Sequence, residues 1–140
     1  MEASQTGHLV LSTLHTNDVP STVNRLLTLG VERYLIADSL LLVSAQRLLQ
    51  KLCDACKIRC TTGFIKGQTP CSNCNNTGYS GRLPVFEYCI KPSPDLVYNF
   101  DAKIFARHLK QTLTQETIKL IEEGLVDSRL IKVDERNALC

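Results

Sequence analysis

The spacing of apolar and polar residues predicts an α/β protein with a buried first strand and a helical C-terminal part. His8–Thr13 is continuously apolar at its centre, which is typical of a strand buried on both faces of a parallel sheet. Asn17 or Asp18 is suited to cap the helix that follows, which runs to about Leu29 and stops at Gly30. A second helix, apolar nearly all round and therefore expected to be buried, is predicted from about Glu32 to Ser44.

Two later strands flank a loop rich in cysteine. Ala45 to Leu52 alternates and leads into the first cysteine pair, and Gly81 to Ile90 forms the returning strand. Pro84 cannot donate a ladder hydrogen bond, so this second strand should be an edge strand or begin at a bulge. The remainder is predicted to be helical, with a short helix near Leu96, a stripe at Ile104, Phe105, His108 and Leu109, a helix over Thr114–Glu123 stopped by Gly124, and a last turn over Arg129–Val133.

Four cysteines have the spacing of a structural zinc site. Two C-x-x-C pairs, separated by fourteen residues, can place four thiolates around one metal ion. A complete set of four protein ligands leaves no open coordination position, so the predicted role is structural rather than catalytic. Binding would contribute on the order of 10–16 kcal/mol at neutral pH. The predicted zinc ligands are Cys53, Cys56, Cys71 and Cys74, with Cys60 a poorer fit and Cys89 and Cys140 outside the site.

Composition narrows the class of protein. The chain has 140 residues, 44% of them apolar and 21% charged, as in soluble globular proteins. Its net charge of +2 is too small to indicate a nucleic acid or an anionic membrane as partner. Seven cysteines, four of them in metal spacing, favour a reducing cytoplasm over a disulfide framework. No signal peptide and no apolar run near eighteen residues is present, so no transmembrane segment is expected.

The cysteines alone leave two other functions open. A zinc-ribbon module that binds nucleic acid has compatible spacing, although few aromatic residues lie near the basic ones for base stacking. A thiol redox protein also uses C-x-x-C, but it needs one pair at a helix N-terminus after a strand, and both pairs here lie in turn-rich loops.

Four stretches, in order, resemble the secretion ATPases, which are the hexameric RecA-like motors of type II secretion and type IV pilus assembly. Thr6–Asp18 resembles their histidine box, and Ala45–Leu48 resembles the Gln-Arg motif after the last long core helix. The two cysteine pairs resemble the metal-binding subdomain of the type II secretion and pilus-extension members. Thr77–Arg82, with Glu87, resembles the segment that returns to the core. The abrupt helical start before Gly7 and the absence of G-x-x-x-x-G-K-[ST] predict that this chain is the C-terminal part of such a motor.

The resemblance implies roles for particular residues. His15 would sense the γ-phosphate of ATP, with Thr13 and Thr16 as supporting hydroxyls, while His8 would contact neighbouring structure or a subunit interface. From the residues alone, a histidine beside a buried strand is more often a satisfied core or capping residue, and Glu87 is expected to form a salt bridge with Arg82 or Arg47. The residues predicted to support the nucleotide site are Thr13, Thr16, His8, Gln46 and Arg47.

The implied fold is the C-terminal portion of a RecA-like core with an inserted tetracysteine zinc subdomain and a small C-terminal helical subdomain. The boundaries expected are 1–52 for the core portion, 53–78 for the zinc subdomain, 79–90 for the returning strand and 91–140 for the helices. ATP and magnesium would be cofactors of the full-length protein only, and the fragment alone is expected to be inactive. The implied partners are five further copies in a homo-hexamer and the inner-membrane platform proteins, which would hold a cytoplasmic protein at the membrane.

Overall fold

Helices and two small sheets make up the computed structural model, which describes residues 2–68 and 70–131. By internal contacts the chain divides into two units, Met1–Gln46 with Phe86–Thr112, and Arg47–Val85 with Leu113–Cys140. Strand β1 pairs with β4, and β2 pairs with β3. The elements are α1 (Glu2–Gln5), α2 (Val19–Thr28), α3 (Arg33–Ser39), β1 (Leu42–Leu52), β2 (Ile58–Cys60), β3 (Gly63–Ile65), β4 (Tyr79–Ile90), α4 (Pro94–Tyr98), α5 (Ala102–Ala106) and α6 (Leu113–Glu122), with short 3-10 turns at Ser72–Cys74 and Ser128–Leu130.

Helix α2 organises the first unit and confirms its sequence prediction. Asp18 caps it by accepting the N–H of Ser21 at 2.7 Å, and Pro20 lies in its first turn. The helix ends before Gly30, whose φ of 83° is readily adopted only by glycine. The core of this unit consists of Val19, Val23, Val43, Ala45, Cys89 and Phe105.

The predicted buried strand at His8–Thr13 is wrong for this chain. These residues have no regular secondary structure, and their side chains face outward, with Leu9 77% and Leu11 88% exposed. A strand needs neighbours that accept and donate its backbone hydrogen bonds. In residues 2–68 and 70–131 the two sheets contain only β1 to β4, so this segment has no sheet partner there.

The predicted helix from Glu32 to Ser44 is also too long. Helix α3 ends at Ser39, and β1 begins at Leu42, three residues before the predicted strand. Only Ile36 of α3 is fully buried, so the helix is not covered on all sides. The apolar run over residues 40–43 suits either a helix or a strand, and pairing of β1 with β4 decides between them, because it buries Val43 and Ala45 at alternate positions.

The second unit combines the cysteine-rich hairpin with the last long helix. Strands β2 and β3 are antiparallel, with Arg59 opposite Phe64. Helix α6 and the residues after it supply a core of Ile121, Val126 and Ile131. The predicted helix near Leu96 is α4, and the helix predicted over Thr114–Glu123 is α6, with its stop at Gly124. The predicted helical stripe at Ile104, Phe105, His108 and Leu109 is confirmed only in part, because α5 ends at Ala106. The last predicted turn is the 3-10 turn at Ser128–Leu130, while Val133 and the tail to Cys140 lie outside the described residues.

Strand β4 confirms the predicted returning strand and extends it by two residues at its start. Pro84 lies within it without disrupting a central ladder, because both strands of a two-stranded sheet are edges. The four domain boundaries set out above stay predictions.

Candidate metal centre and histidine segment

The four predicted zinc ligands come together in the second unit. Their sulfur atoms all lie within 4.8 Å of one another. The Sγ atoms of Cys53 and Cys71 are 4.0 Å apart, and those of Cys56 and Cys74 are 3.8 Å apart. Four sulfurs bound at about 2.3 Å to a tetrahedral zinc ion would be separated by about 3.8 Å. The donor set and its spacing therefore fit a single zinc ion.

A tight turn after β1 presents the first pair. The N–H of Cys56 donates to the carbonyl of Cys53 at 3.2 Å, and the N–H of Lys57 donates to the same oxygen at 2.9 Å. The N–H of Cys53 donates to the carbonyl of Gly78 at 3.0 Å, which joins this turn to the end of the turn after the second pair. Backbone hydrogen bonds thus bring two sulfurs to one side of the loop.

Two asparagines shape the turn that presents the second pair. Asn75 and Asn76 have φ of 51° and 65°, a left-handed conformation that asparagine adopts more readily than most residues. The Asn76 side chain accepts the N–H of Cys71 at 2.6 Å, and the N–H of Asn76 donates to the Cys71 carbonyl at 3.0 Å. This pair of bonds closes the turn around Cys74.

The sulfur atoms differ in acidity. Burial, together with the neighbouring thiols, raises the pKa of Cys56 to about 12. Burial also opposes ionisation of Cys74, but the N–H of Gly78, which donates to its sulfur at 3.3 Å, and the other three thiols lower the pKa of Cys74 to about 7. A divalent cation at the centre would favour the thiolate form of all four sulfurs.

Lys51 and Lys57, which lie beside the site, interact with groups other than the cysteine sulfurs. Lys57 donates to Asp54 at 2.7 Å and to the Gly124 carbonyl at 3.0 Å, and its ammonium lies 5.0 Å from the centre of the Phe64 ring. Lys51 also pairs with Asp54, at 3.5 Å. Lys57 therefore fastens the first cysteine turn to the end of α6.

Close packing leaves no room for a side chain at Gly67. A Cβ atom there would lie 1.9 Å from the carbonyl oxygen of Cys56. The backbone of the loop between the two pairs thus passes directly against the first turn. Glycine is required at this point by close approach rather than by an unusual φ.

Cys60 lies outside the quartet. Its sulfur is 3.5 Å from the hydroxyl of Ser128 and 3.5 Å from that of Thr62. Both hydrogen bonds lower the pKa of Cys60, and the one to Ser128 has the larger effect. The poorer fit of Cys60 to the metal site, predicted from its spacing, is confirmed by its absence from the cluster.

The histidine segment of the first unit is exposed. The hydroxyl of Thr6 lies 2.9 Å from Nδ1 of His8. His15 is the middle residue of a three-residue turn in which the N–H of Thr16 donates to the Leu14 carbonyl at 3.1 Å. The hydroxyl of Thr16 is 2.6 Å from that of Thr22 on α2, which ties the end of the segment to the helix.

Within residues 2–68 and 70–131, no hydrogen bond joins the predicted nucleotide-site residues His8, Thr13, His15 and Gln46 to one another. Gln46 and Arg47 are exposed on β1. The roles assigned to all of these residues stay predictions.

A family model described as type II/IV secretion system protein matches residues 1–135. The chain belongs to this family. It is 51% identical over 87 residues to type II secretion system protein HxcR of Pseudomonas aeruginosa, an alignment that covers 62% of this chain and 18% of HxcR. It is 38% identical over 132 residues to the protein transport protein HofB homolog of Haemophilus influenzae, covering 94% of this chain and 24% of that protein. Membership confirms the resemblance found in the sequence.

The secretion-family chain is short beside its relatives. It spans about a fifth to a quarter of the curated proteins just named. A crystal structure of the pilus retraction motor PilT with bound ADP has a similar fold, with a TM-score of 0.60 at 22% identity, over 99% of this chain and 35% of PilT. None of the helices in the described part of the chain has the length and hydrophobicity that a membrane crossing requires.

The hydrogen-bond partner of the buried Glu87 was not predicted from the sequence. Glu87 is only 6% exposed, and its Oε1 accepts the N–H of Val19 at 2.5 Å. The prediction that Glu87 pairs with Arg82 or Arg47 is therefore corrected, because the first N–H of α2 takes its place. Alternation along β4 places Glu87 on the same side as Val85 and Cys89, which could have indicated its burial.

Proposed function

We propose that the chain is the C-terminal portion of a cytoplasmic motor ATPase that couples ATP binding and hydrolysis to protein secretion or pilus assembly. The observation that carries this proposal is the match of residues 1–135 to the secretion family. Curated relatives named as type IV pilus assembly ATPases, such as PilB of Myxococcus xanthus at 42% identity over 105 residues, support the ATPase part.

In this proposal His15 donates a hydrogen bond to the γ-phosphate of ATP. Its position in an exposed turn leaves the imidazole accessible to a nucleotide, and the hydroxyl of Thr13, exposed in the same segment, is a second donor. A group that contacts the γ-phosphate through a short turn fastened to a helix can report the nucleotide state to that helix. The phosphate loop and magnesium would be supplied by parts of the protein outside residues 1–140.

The four-cysteine cluster would hold a structural zinc ion. Cys53, Cys56, Cys71 and Cys74 are the complete ligand set, so the metal would have no position for a substrate. Its chemistry would be to stabilise the two cysteine turns and the unit that contains them. Retention of one zinc ion per chain after purification without added metal tests this part of the proposal.

We also propose that the motor is a homo-hexamer held at the inner membrane by platform proteins. The exposed guanidinium of Arg59 on β2 offers a contact point for such a protein. Arg59→Glu should weaken capture of the platform protein in a pull-down, whereas Lys119→Glu, on the exposed side of α6, should not. Equal capture by both variants would remove the hairpin from the proposed interface.

The ATPase role is tested in a chimera in which this chain replaces the corresponding segment of HxcR. His15→Ala should lower ATP turnover on the order of 100-fold, the usual effect of losing one donor to a reacting oxyanion. His108 is the matched control, because it is an exposed histidine of the same unit and its Nδ1 lies 2.9 Å from the Ile104 carbonyl of its own segment.

Turnover by His108→Ala should stay within about twofold of the parent chimera, the range expected of an exposed residue outside the site. If His15→Ala and His108→Ala have the same effect, His15 does not act on the nucleotide. The 140-residue chain by itself should hydrolyse no ATP. Turnover by the purified chain would contradict the proposal that the phosphate loop and magnesium are supplied from outside residues 1–140.

A further inference from the structure

A buried carboxyl group joins strand β4 to the start of α2. Glu87 is 6% exposed and is separated from Val19 by 68 residues of sequence, yet its Oε1 accepts the Val19 N–H at 2.5 Å. Burying a carboxyl group is unfavourable unless hydrogen bonds compensate for lost hydration. The position of Glu87 therefore depends on the first helical N–H of α2, and the position of that N–H depends on Glu87.

Every donor in the first turn of α2 is accounted for. The N–H of Val19 donates to Glu87, Pro20 has no N–H, and the N–H of Ser21 donates to the Asp18 side chain at 2.7 Å. The N–H of Thr22 donates to the Asp18 carbonyl at 3.1 Å, the first bond within the helix. The two acidic side chains also complement the partial positive charge of the helix N-terminus. Because these N–H groups already have acceptors, a phosphate near His15 would be bound by side chains and not by the N-terminus of α2.

The same helix start fastens the turn that carries His15. The hydroxyl of Thr22 donates to the Asp18 carbonyl at 3.0 Å and lies 2.6 Å from the hydroxyl of Thr16. Thr16 in turn closes the three-residue turn around His15 through its N–H. Hydrogen bonds and the intervening backbone therefore connect Glu87, through the first turn of α2, to the Leu14–Thr16 turn that contains His15, all within the first unit.

We propose that Glu87 is a positioning residue that fixes the 14–18 segment and so sets where His15 can meet a phosphate. The part of this inference that concerns phosphate rests on the proposed function, and the part that concerns the segment does not. Glu87 acts through Val19 and the Thr22–Thr16 pair, and it does not touch the nucleotide.

The test uses the 140-residue chain with its metal and no nucleotide. Amide hydrogen exchange at Val19 should be about tenfold faster or more in Glu87→Ala, as expected when a hydrogen bond to a charged group is lost. Nuclear Overhauser contacts between the side chains of Thr16 and Thr22 should weaken in the same variant. Glu87→Gln retains a carbonyl oxygen at the same reach but lacks the charge, so the exchange rate of Val19 and the Thr16–Thr22 contacts should lie between those of the parent chain and those of Glu87→Ala.

Glu123→Ala is the matched control, since Glu123 is an exposed acid just after α6 in the other unit. It should leave the exchange of Val19 and the Thr16–Thr22 contacts unchanged. If Glu87→Ala does not fold, Glu87→Gln decides the matter, because its neutral oxygen should still make Val19 exchange several-fold faster than in the parent chain, with Val97 unchanged. Wild-type exchange at Val19 in a folded Glu87 variant would overturn the proposal.

Failure of the positioning role can be told apart from failure of the ATPase role. Exchange and contact measurements without nucleotide do not depend on whether His15 senses a phosphate. If Glu87→Ala releases the 14–18 segment but His15→Ala leaves turnover of the HxcR chimera unchanged, the positioning role stands and the proposed function fails. If His15→Ala lowers turnover and Glu87→Ala leaves Val19 protected, the reverse holds.

Discussion

Sequence motifs identified both the cysteine cluster and the histidine segment. The two regions differ in how many packing and hydrogen-bond contacts hold them in place within this chain. The four sulfurs meet at distances that suit one zinc ion, and backbone hydrogen bonds and close packing against Gly67 hold them there. The histidine segment ends in one organised turn at His15, but the run before it is exposed.

The difference follows from what each site requires. Each C-x-x-C turn is built from bonds between residues a few positions apart, such as Lys57 N–H to Cys53 carbonyl, and a hydrogen bond from Cys53 N–H to the Gly78 carbonyl joins the two turns. A site at the end of a buried strand needs neighbouring strands on both sides. Local sites can therefore be complete in a chain of this length, whereas sheet-edge sites depend on elements far away in sequence.

Loss of the metal should be the largest perturbation. Cys74→Ser should abolish binding of the predicted single zinc ion and unfold the cysteine turns, because structural zinc contributes on the order of 10–16 kcal/mol in small domains. Metal content by mass spectrometry and unfolding followed in the presence of a chelator measure both effects.

Cys60→Ser is the matched control for the metal prediction, since Cys60 is a half-buried thiol of the same unit outside the cluster and its partner Ser128 can equally bond a hydroxyl. It should retain one zinc ion per chain. Loss of metal in Cys60→Ser, or a parent protein that binds none under reducing conditions, would remove the contrast between the two regions.

Gly67→Ala should be the next largest change. The added methyl group would lie 1.9 Å from the Cys56 carbonyl, so the loop or the turn has to move. Overpacking typically costs about 1–3 kcal/mol, and a clash with backbone should reach the upper end. Urea unfolding measures the free energy, and metal affinity should fall with it. Gln68→Ala, at the exposed neighbouring position, should change neither quantity, and an equal effect of the two substitutions would contradict the packing argument.

Asp127 connects the hairpin to the C-terminal segment and should make stability depend on acid. The residue is 4% exposed, and its carboxylate accepts the N–H of Lys66 at 3.1 Å and pairs with Arg129 at 2.6 Å. The Arg129 side chain is the main cause that lowers the pKa of Asp127 to about 2, from an ordinary value of 3.8. A lowered pKa stabilises the folded state above about pH 4, by roughly 2 kcal/mol, and this contribution is lost as the pH falls towards 2.

The measurement is the difference in free energy of unfolding between the parent chain and Asp127→Asn at successive pH values. Comparing the two at each pH cancels the loss of the predicted metal ion that acid would cause in both. The difference should be largest near neutral pH and should close between about pH 4 and pH 2. A difference that stays constant over that range would show that the carboxylate charge is not what matters.

Local chemistry decided what could be predicted from sequence. Asp18, Pro20 and Gly30 marked the limits of α2, because capping and stop residues act within one turn. The cysteine quartet was predictable for the same reason. The apolar run over residues 40–43 was assigned to a helix, and only its pairing partner, β4, more than thirty residues later, distinguishes a strand. Glu87 was assigned to a salt bridge because its true partner is a backbone N–H 68 residues away.

Substitutions in the apolar run before His15, which belongs to the histidine motif, should change the free energy of unfolding least. Leu9 and Leu11 are 77% and 88% exposed, so replacing both with serine removes little buried apolar surface from this chain. The free energy of unfolding should therefore change by less than about 0.5 kcal/mol, whereas Val23→Ala, at a fully buried position of the same unit, should cost about 2 kcal/mol through lost burial and the cavity left behind. Urea unfolding of the three proteins provides the comparison. A large loss in the serine variant would show that the segment is already packed in solution, and the contrast between the self-contained cysteine cluster and the exposed histidine segment would then fail.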